Sequence, residues 1–360
     1  MNLSVIVTVF NIPEKLLKCC LKSLQNQSYQ DTEFIIVNDG SSDPECEKII
    51  KSFCKNDSRF VYIYQENSGV SVARNTGISV SNGDYLMFVD GDDSLTNEAI
   101  AKAIDKIQET AADCIIFGFN EIQENEICEQ DLNGKYYKSL SDKDIESLIL
   151  DIISFDTSYY TKYNVSVDSP WGKIFKREII RDNGILFNPL LSRSEDALFC
   201  IQYYDNCKTI EIFSESIYNY TYNIDSLCRG TSDIIVRMLP CIAKCFKEYL
   251  EFRYKDDDRF INKLSRMIEK YILVAEERYF FSKSNTKSMV ILLKEYKNLL
   301  NSVDICKLIS NKASQKHRRI SNIHRLSWVT PLCISYFLIM RIRCLLRKLK
   351  LADIPAEDIL

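Results

Sequence analysis

The chain has no Gly-Lys-Ser/Thr triplet, and the loop after its first apolar run, Phe10-Asn11-Ile12-Pro13, contains no glycine. The first absence removes a Walker-type phosphate cradle and the second a Rossmann pyrophosphate turn. Histidine is almost missing: His317 and His324 are the only two, and both lie far from Cys241 and Cys245, which stand one helical turn apart. No zinc-ligand spacing results, so the 14 cysteines are expected to be mostly buried filler. The chain is large, has no signal peptide and begins directly with a core strand, which predicts that those thiols stay reduced. No Pro/Gly/Ser-rich linker and no internal repeat interrupts the 360 residues. A length of this order allows one domain of about 200–250 residues plus an extension. The most conspicuous apolar run, Trp328–Met340, has thirteen mostly apolar residues, short of the roughly 18 that span a bilayer.

What is present starts with acid. The apolar run Tyr85-Leu86-Met87-Phe88-Val89 stops at Asp90-Gly91-Asp92-Asp93, which predicts a strand ending in three carboxylates. Side chains alternate along a strand, so Asp90 and Asp92 are expected to project together, with Gly91 leaving room for a ligand to approach. Two hard oxygen donors suit Mg²⁺ or Mn²⁺, which keep positions open for phosphate oxygens. The same residue types also mark ordinary strand-to-loop turns.

Strands and helices alternate before that point. Leu3–Phe10 is a β-branched run, followed by Leu16, Leu17, Cys20, Leu21 and Leu24 at helical spacing. Phe34-Ile35-Ile36-Val37 leads into Asn38-Asp39-Gly40-Ser41-Ser42-Asp43, and Cys46, Ile49, Ile50 and Phe53 then mark a helix that Ser42 or Asp43 could cap. Phe60–Tyr64 precedes a third helix carrying Gly69, Ala73 and Gly77 on one face, the spacing of close backbone packing. Arg74, one turn into that helix, is placed to hold a carboxylate rigid or to meet a pyrophosphate. Such alternation predicts a parallel, doubly wound α/β sheet. Ligands of these sheets bind at the carboxyl edge, where Asp39 is expected.

Taken in order, VTVFN, VNDGSSD, ENSGVSVARNTG and MFVDGDD resemble the nucleotide-binding half of family 2 glycosyltransferases, among them those of bacterial surface polysaccharides. The resemblance is strong over residues 1–120 and looser to about 230. It implies a GT-A fold with a mostly parallel, Rossmann-like sheet and a nucleotide-sugar site containing Val9, Phe10, Asn11, Asp39, Asn67, Arg74, Asp90 and Gly91. Asp39 would read the base of a UDP-sugar, Asp90 the ribose or metal, and Asp92 the Mn²⁺ or Mg²⁺ bridging the diphosphate. Phe10 replaces the more usual Tyr, losing a hydroxyl while keeping a ring to pack beside uracil.

Ser192-Arg193-Ser194-Glu195-Asp196 resembles the Glu-Asp motif that supplies the family's base. Ser192 and Glu195 also have capping-box spacing. If Glu195 caps, Asp196 is left to face the cleft as general base, and an inverting, in-line reaction follows. Asp168–Glu178 resembles a segment flanking the acceptor, where Trp171 could stack on a sugar or simply fill the core. Tyr218–Leu227 looks like the strand and mobile loop that close the catalytic domain.

These readings divide the chain into a catalytic domain at 1–230 (nucleotide-sugar half 1–120, acceptor half 121–230), a helical extension at 231–310 and a basic amphipathic segment at 311–360. In the extension Ile261, Leu264, Met267, Ile268, Ile272 and Leu273 recur at helix-like intervals. Residues 305–352 hold eleven Lys and Arg and no acid, whereas residues 1–304 carry 35 basic and 47 acidic groups, a net of −12. Basic heads around an apolar stretch with Trp, Tyr and Phe predict docking on an anionic membrane surface. Packing on the catalytic domain is the competing expectation, and nucleic acid has little use for the apolar stretch. The expected setting is cytoplasmic, peripheral at the inner face of the cell membrane, with a nucleotide-sugar donor and a glycan or lipid-linked glycan acceptor. A metal-dependent nucleotidyl or phosphoryl transferase, or a non-catalytic nucleotide-sugar-binding membrane scaffold, are the alternatives.

Overall fold

A computed structural model describes residues 2–123, 126–128, 136–155, 158–222, 233–255, 257–280, 282 and 285–302. The chain divides into two compact units, Met1–Asp225 and Ser226–Leu360.

The first unit is built on one sheet. Strands β1 (Leu3–Val9), β2 (Thr32–Asp39), β3 (Phe60–Gln65) and β4 (Tyr85–Asp90) pair in parallel in the order β3-β2-β1-β4. Between them run α1 (Glu14–Gln25), α2 (Pro44–Asn56) and α3 (Val70–Val80), as the alternating pattern requires. After the two-residue β5 (Ser94–Leu95) come α4 (Ala99–Thr110), β6 (Cys114–Gln123), β7 (Glu126–Cys128) and β8 (Tyr137–Leu140). Helices α5 (Asp142–Ile153) and α6 (Ser158–Tyr163) lead to β9 (Lys173–Lys176), α7 (Arg177–Asp182), α8 (Glu195–Tyr204) and β10 (Ile210–Thr221). The sheet continues β4-β9-β6-β10-β5. Only the short β9 reverses direction between β4 and β6, so β4, β6 and β10 all run the same way.

Both faces of β1 are buried. Leu3, Val5, Val7 and Val9 join the core formed with α1, α2 and α4. On the opposite face a Cβ on Gly77 would stand 2.3 Å from Ile6 Cγ2, so α3 lies against β1 at a distance only glycine permits. Gly69 is different: nothing lies within 4 Å of its Cβ position, but its φ is +88°. Its smallness serves backbone conformation rather than packing. Asp43 Oδ1 accepts from Glu45 N–H at 2.9 Å, which makes Asp43 the cap of α2.

The later strands carry irregularities that alternation could not predict. The register of β10 against β6 shifts between Phe213 and Ser216 and again between Ser216 and Tyr218. Gly118 allows the first shift, because a Cβ there would meet Ser214 O at 2.4 Å.

Described residues of the second unit form α9 (Asp233–Arg253), α10 (Asp258–Ala275), a π-helical turn (Glu276–Phe280) and α11 (Met289–Ser302). Leu264, Met267, Ile268 and Ile272 of α10 are buried as their spacing predicts, but Ile261 is only partly buried and Leu273 is half exposed; Phe260 is buried as well. Among the described residues no helix is long and apolar enough to cross a membrane. The basic segment, including Trp328–Met340 and both histidines, lies outside the described residues.

Candidate active site

Asp39, the last residue of β2, is buried beneath the loop between β3 and α3. Its Oδ1 accepts from Gln65 Nε2 (2.7 Å) and Ser68 N–H (2.9 Å), and its Oδ2 accepts from Gly69 N–H (2.9 Å). The positive φ of Gly69 forms part of the turn that presents that N–H. Beside it, the loops after β1 and β2 are tied together: Asn11, at φ +49°, accepts through Oδ1 from the N–H and hydroxyl of Ser42, and its N–H donates to Ser41 Oγ. Phe10 stands 43% exposed at the end of β1, a free ring face beside this cradle, and Asn67 is exposed on the neighbouring loop. Val9 faces the core, so only its backbone borders the edge.

Arg74 resolves the two roles the sequence left open. Its side chain is 4% exposed and pairs with both Asp90 Oδ1 (2.9 Å) and Asp196 Oδ1 (2.5 Å), with its guanidinium 5.0 Å from the centre of the Phe187 ring. Burial alone would lower its pKa, but Asp196, Asp90 and Glu195 outweigh that and raise it. A guanidinium so occupied holds carboxylates rigid. Phe187 is in turn pinned to α3 by Asn75, which donates to Phe187 O (2.8 Å) and accepts from Phe187 N–H (2.9 Å).

At the end of β4 the three acids part company. The strand stops at Asp90, and Asp93 N–H closes a turn onto Asp90 O at 3.0 Å, so Asp92 sits on a turn rather than on the strand as the alternation argument required. Burial, then the charge of Asp90, pushes the Asp92 carboxyl up to about 6. Asp93 turns inward, where Oδ2 accepts from the Tyr218 hydroxyl (2.6 Å) and Oδ1 from Thr221 N–H (2.7 Å). Gly91 is small for a different reason than expected: a Cβ there would lie 2.8 Å from Thr8 O. Its glycine lets the turn settle on β1.

Glu195 and Asp196 open α8, behind a left-handed Ser194 with φ 60°. Glu195 is therefore the first residue of the helix, and the capping box expected from Ser192 does not form. Asp196 retains 28% side-chain exposure. Burial pushes its carboxyl up to about 7 against the pull of Arg74, with Glu195 and Asp90 adding repulsion. Burial also raises Glu195. A carboxylate poised near neutrality and partly open to solvent suits a general base.

Trp171 is packed against the core with little free ring face. It stacks on Tyr218 (4.9 Å, 12°) and Tyr220 (5.5 Å, 22°) and meets Phe119 edge-on. Its loop is held from beneath by Lys173, a fully buried cation whose Nζ donates to the carbonyls of Ser166, Ser169 and Trp171. Burial lowers the pKa of that lysine. Sequence reasoning did not single out Lys173, Gln65, Phe187 or Tyr218. Tyr218 belongs to the segment expected as closing strand and loop: it lies on strand β10, while residues 223–227 lie outside the described residues.

A divalent cation is implied by the resemblance, and the donor set fits one. Asp92 and Asp90 are two neighbouring carboxylates, one of them destabilised as an anion, and an adjacent cation relieves that cost. Among the described residues no group of three or more His, Cys, Asp and Glu is gathered for a metal. Two protein oxygens plus phosphate and water oxygens are what Mg²⁺ and Mn²⁺ accept.

Comparison with known proteins identifies the family and the fold. Glycosyltransferase GlyA of Streptococcus pneumoniae is 32% identical over 230 residues, 63% of this chain and 32% of that protein. The poly(ribitol-phosphate) beta-N-acetylglucosaminyltransferase TarP of Staphylococcus aureus is 30% identical over 233 residues, 62% of this chain and 63% of that protein. The chain thus spans about a third of GlyA and under two thirds of TarP. The crystal structure of S. aureus TarS 1–349 in complex with UDP-GlcNAc superposes with a TM-score of 0.65 at 18% identity, covering 98% of this chain and 93% of that one, and the shared fold is GT-A. The Glycosyl transferase family 2 profile matches residues 4–184, half of the chain. The expectation drawn from four short motifs is met: the chain belongs to glycosyl transferase family 2.

Proposed function

We propose that the chain moves a sugar from a UDP-sugar to a hydroxyl of a glycan acceptor, with inversion at the transferred carbon. The observation that carries this reading is Arg74, which gathers Asp90 and Asp196 to one point although 106 residues separate them in the sequence. Asp90 and Asp92 would hold Mn²⁺ or Mg²⁺, and when bound the cation supplies positive charge to the departing diphosphate. Asp196, fixed by Arg74, takes the proton of the acceptor hydroxyl as its oxygen bonds to the sugar C1 and the C1–O bond to UDP breaks. One displacement with no covalent enzyme intermediate inverts the configuration. Asp39 meets the base, Phe10 packs beside it, and Glu195 shapes the charge around Asp196.

A lipid-linked acceptor fits the basic residues of 305–352, which would hold the enzyme at an anionic cytoplasmic leaflet. Sedimentation with acidic-lipid vesicles, declining as salt rises, tests that part.

The test of the chemistry is a panel of UDP-sugars, beginning with UDP-GlcNAc, in which UDP release is followed with Mn²⁺ and with EDTA. UDP released only with metal is expected. Full turnover by the metal-free protein, or release of pyrophosphate in place of UDP, contradicts the reading.

A further inference from the structure

Asp39 is oriented by more than its loop. Gln65, the last residue of β3, donates through Nε2 to Asp39 Oδ1 at 2.7 Å, and Gln65 Oε1 accepts from the Thr76 hydroxyl on α3 at 2.7 Å. A glutamine amide is ambiguous by itself, since turning it over exchanges a donor for an acceptor. Asp39 removes the ambiguity: its carboxylate only accepts, so the NH₂ end must face it, and Oε1 is left to take the Thr76 hydroxyl, which anchors the far end of the amide on α3. The reversed amide would set Oε1 against the carboxylate.

We infer that the Thr76–Gln65 relay is a specificity device that fixes Asp39 as a pure acceptor aimed at a nucleobase ring N–H. This rests on the proposed UDP-sugar reading and deepens it by naming what selects the base. Uracil carries an N–H donor at N3, whereas cytosine carries an acceptor there. An acceptor held rigidly gains a bond with the first and faces repulsion from the second, which is how buried polar sites reject near-isosteres. Gln65 and Thr76 touch no substrate in this account. They act through Asp39, as positioning residues.

The experiment is calorimetric titration of UDP and of CDP, each with Mn²⁺, into the full chain and its variants. The wild type should bind UDP more tightly than CDP. Gln65→Leu, which cannot donate, should weaken UDP about tenfold and leave CDP nearly unchanged, so the preference shrinks. Thr76→Val should lose about threefold in the same direction, because Gln65 still donates to Asp39 but its amide is no longer anchored on α3. A merely structural relay would weaken both nucleotides alike, and a thermal melt on each variant reports whether folding is intact. Should Gln65→Leu fail to fold, Thr76→Val carries the test. An unchanged UDP:CDP ratio in the folded variants, while Asp39→Asn collapses it, overturns the relay and leaves the base reading standing. If Asp39→Asn also leaves the ratio unchanged, or if wild type binds both nucleotides equally, the base reading itself has failed.

Discussion

Asp39 and Asp196 both lean on α3, but they do so by different means. Asp39 is held by two backbone N–H groups at the start of that helix and by one amide. Asp196 depends on a single buried side chain, Arg74, which it shares with Asp90. Backbone donors are fixed by the path of the chain and survive most substitutions at their own positions. A shared guanidinium is a single point of failure for both acids. The anchor of Asp39 is therefore spread over several groups, whereas Asp90 and Asp196 share one.

The largest effect that can break this contrast is Arg74→Met. It leaves two acids without their cation and should cost about 3–5 kcal/mol, read from denaturant unfolding. Ser68→Ala, which keeps the N–H that binds Asp39, should stay within about 0.5 kcal/mol of wild type. Equal losses in the two variants would erase the difference between the two anchors.

Next in size, the two glycines of α3 sharpen the donor-side argument. Gly77→Ala should cost about 1–3 kcal/mol through collision with Ile6. Gly69→Ala should cost a similar amount or less through backbone strain alone, and it should also weaken UDP binding, because it disturbs the N–H that meets Asp39. Unfolding curves with UDP titrations separate the two. If Gly77→Ala weakened UDP and Gly69→Ala did not, the assignment of packing to one and site geometry to the other would be reversed.

The smallest effect concerns the acceptor-side strand. Tyr218→Phe retains the ring stacked on Trp171 but leaves Asp93 Oδ2 without its hydroxyl donor, which should cost about 1–2 kcal/mol. A variant as stable as wild type would mean that the hydroxyl does not bind the Asp turn to β10.

The sequence made the donor side readable because its determinants are local. The strands β1 to β4 follow runs rich in β-branched and aromatic residues, α1 and α2 follow their apolar spacing, and Asp39 and Asp90 fall where those strands end. Asp196 and Arg74 could be picked out singly from motif and chemistry, but their union could not, because it is a contact across 122 residues. The capping box at Ser192 failed because a left-handed Ser194 delays the helix by enough to make Glu195 its first residue. Strand alternation does not place Asp92, because β4 ends at Asp90 and a turn carries the next residues. The place of Trp171 among Tyr218 and Tyr220 rests on β10, whose register shifts leave no trace in residue alternation.

The central claim is that Asp196 removes the acceptor proton while the donor is held elsewhere. UDP affinity and the rate of UDP release, measured from pH 5 to 9 on wild type and Asp196→Asn, test it most directly. With its carboxyl raised to about 7, Asp196 is protonated below that pH and cannot accept a proton, so the wild-type rate should fall on the acid side of about pH 7. Asp196→Asn should bind UDP within about twofold of wild type, release it at least a hundredfold more slowly and lose that acid limb. A variant that turns over at the wild-type rate with the limb intact would place the base on another residue.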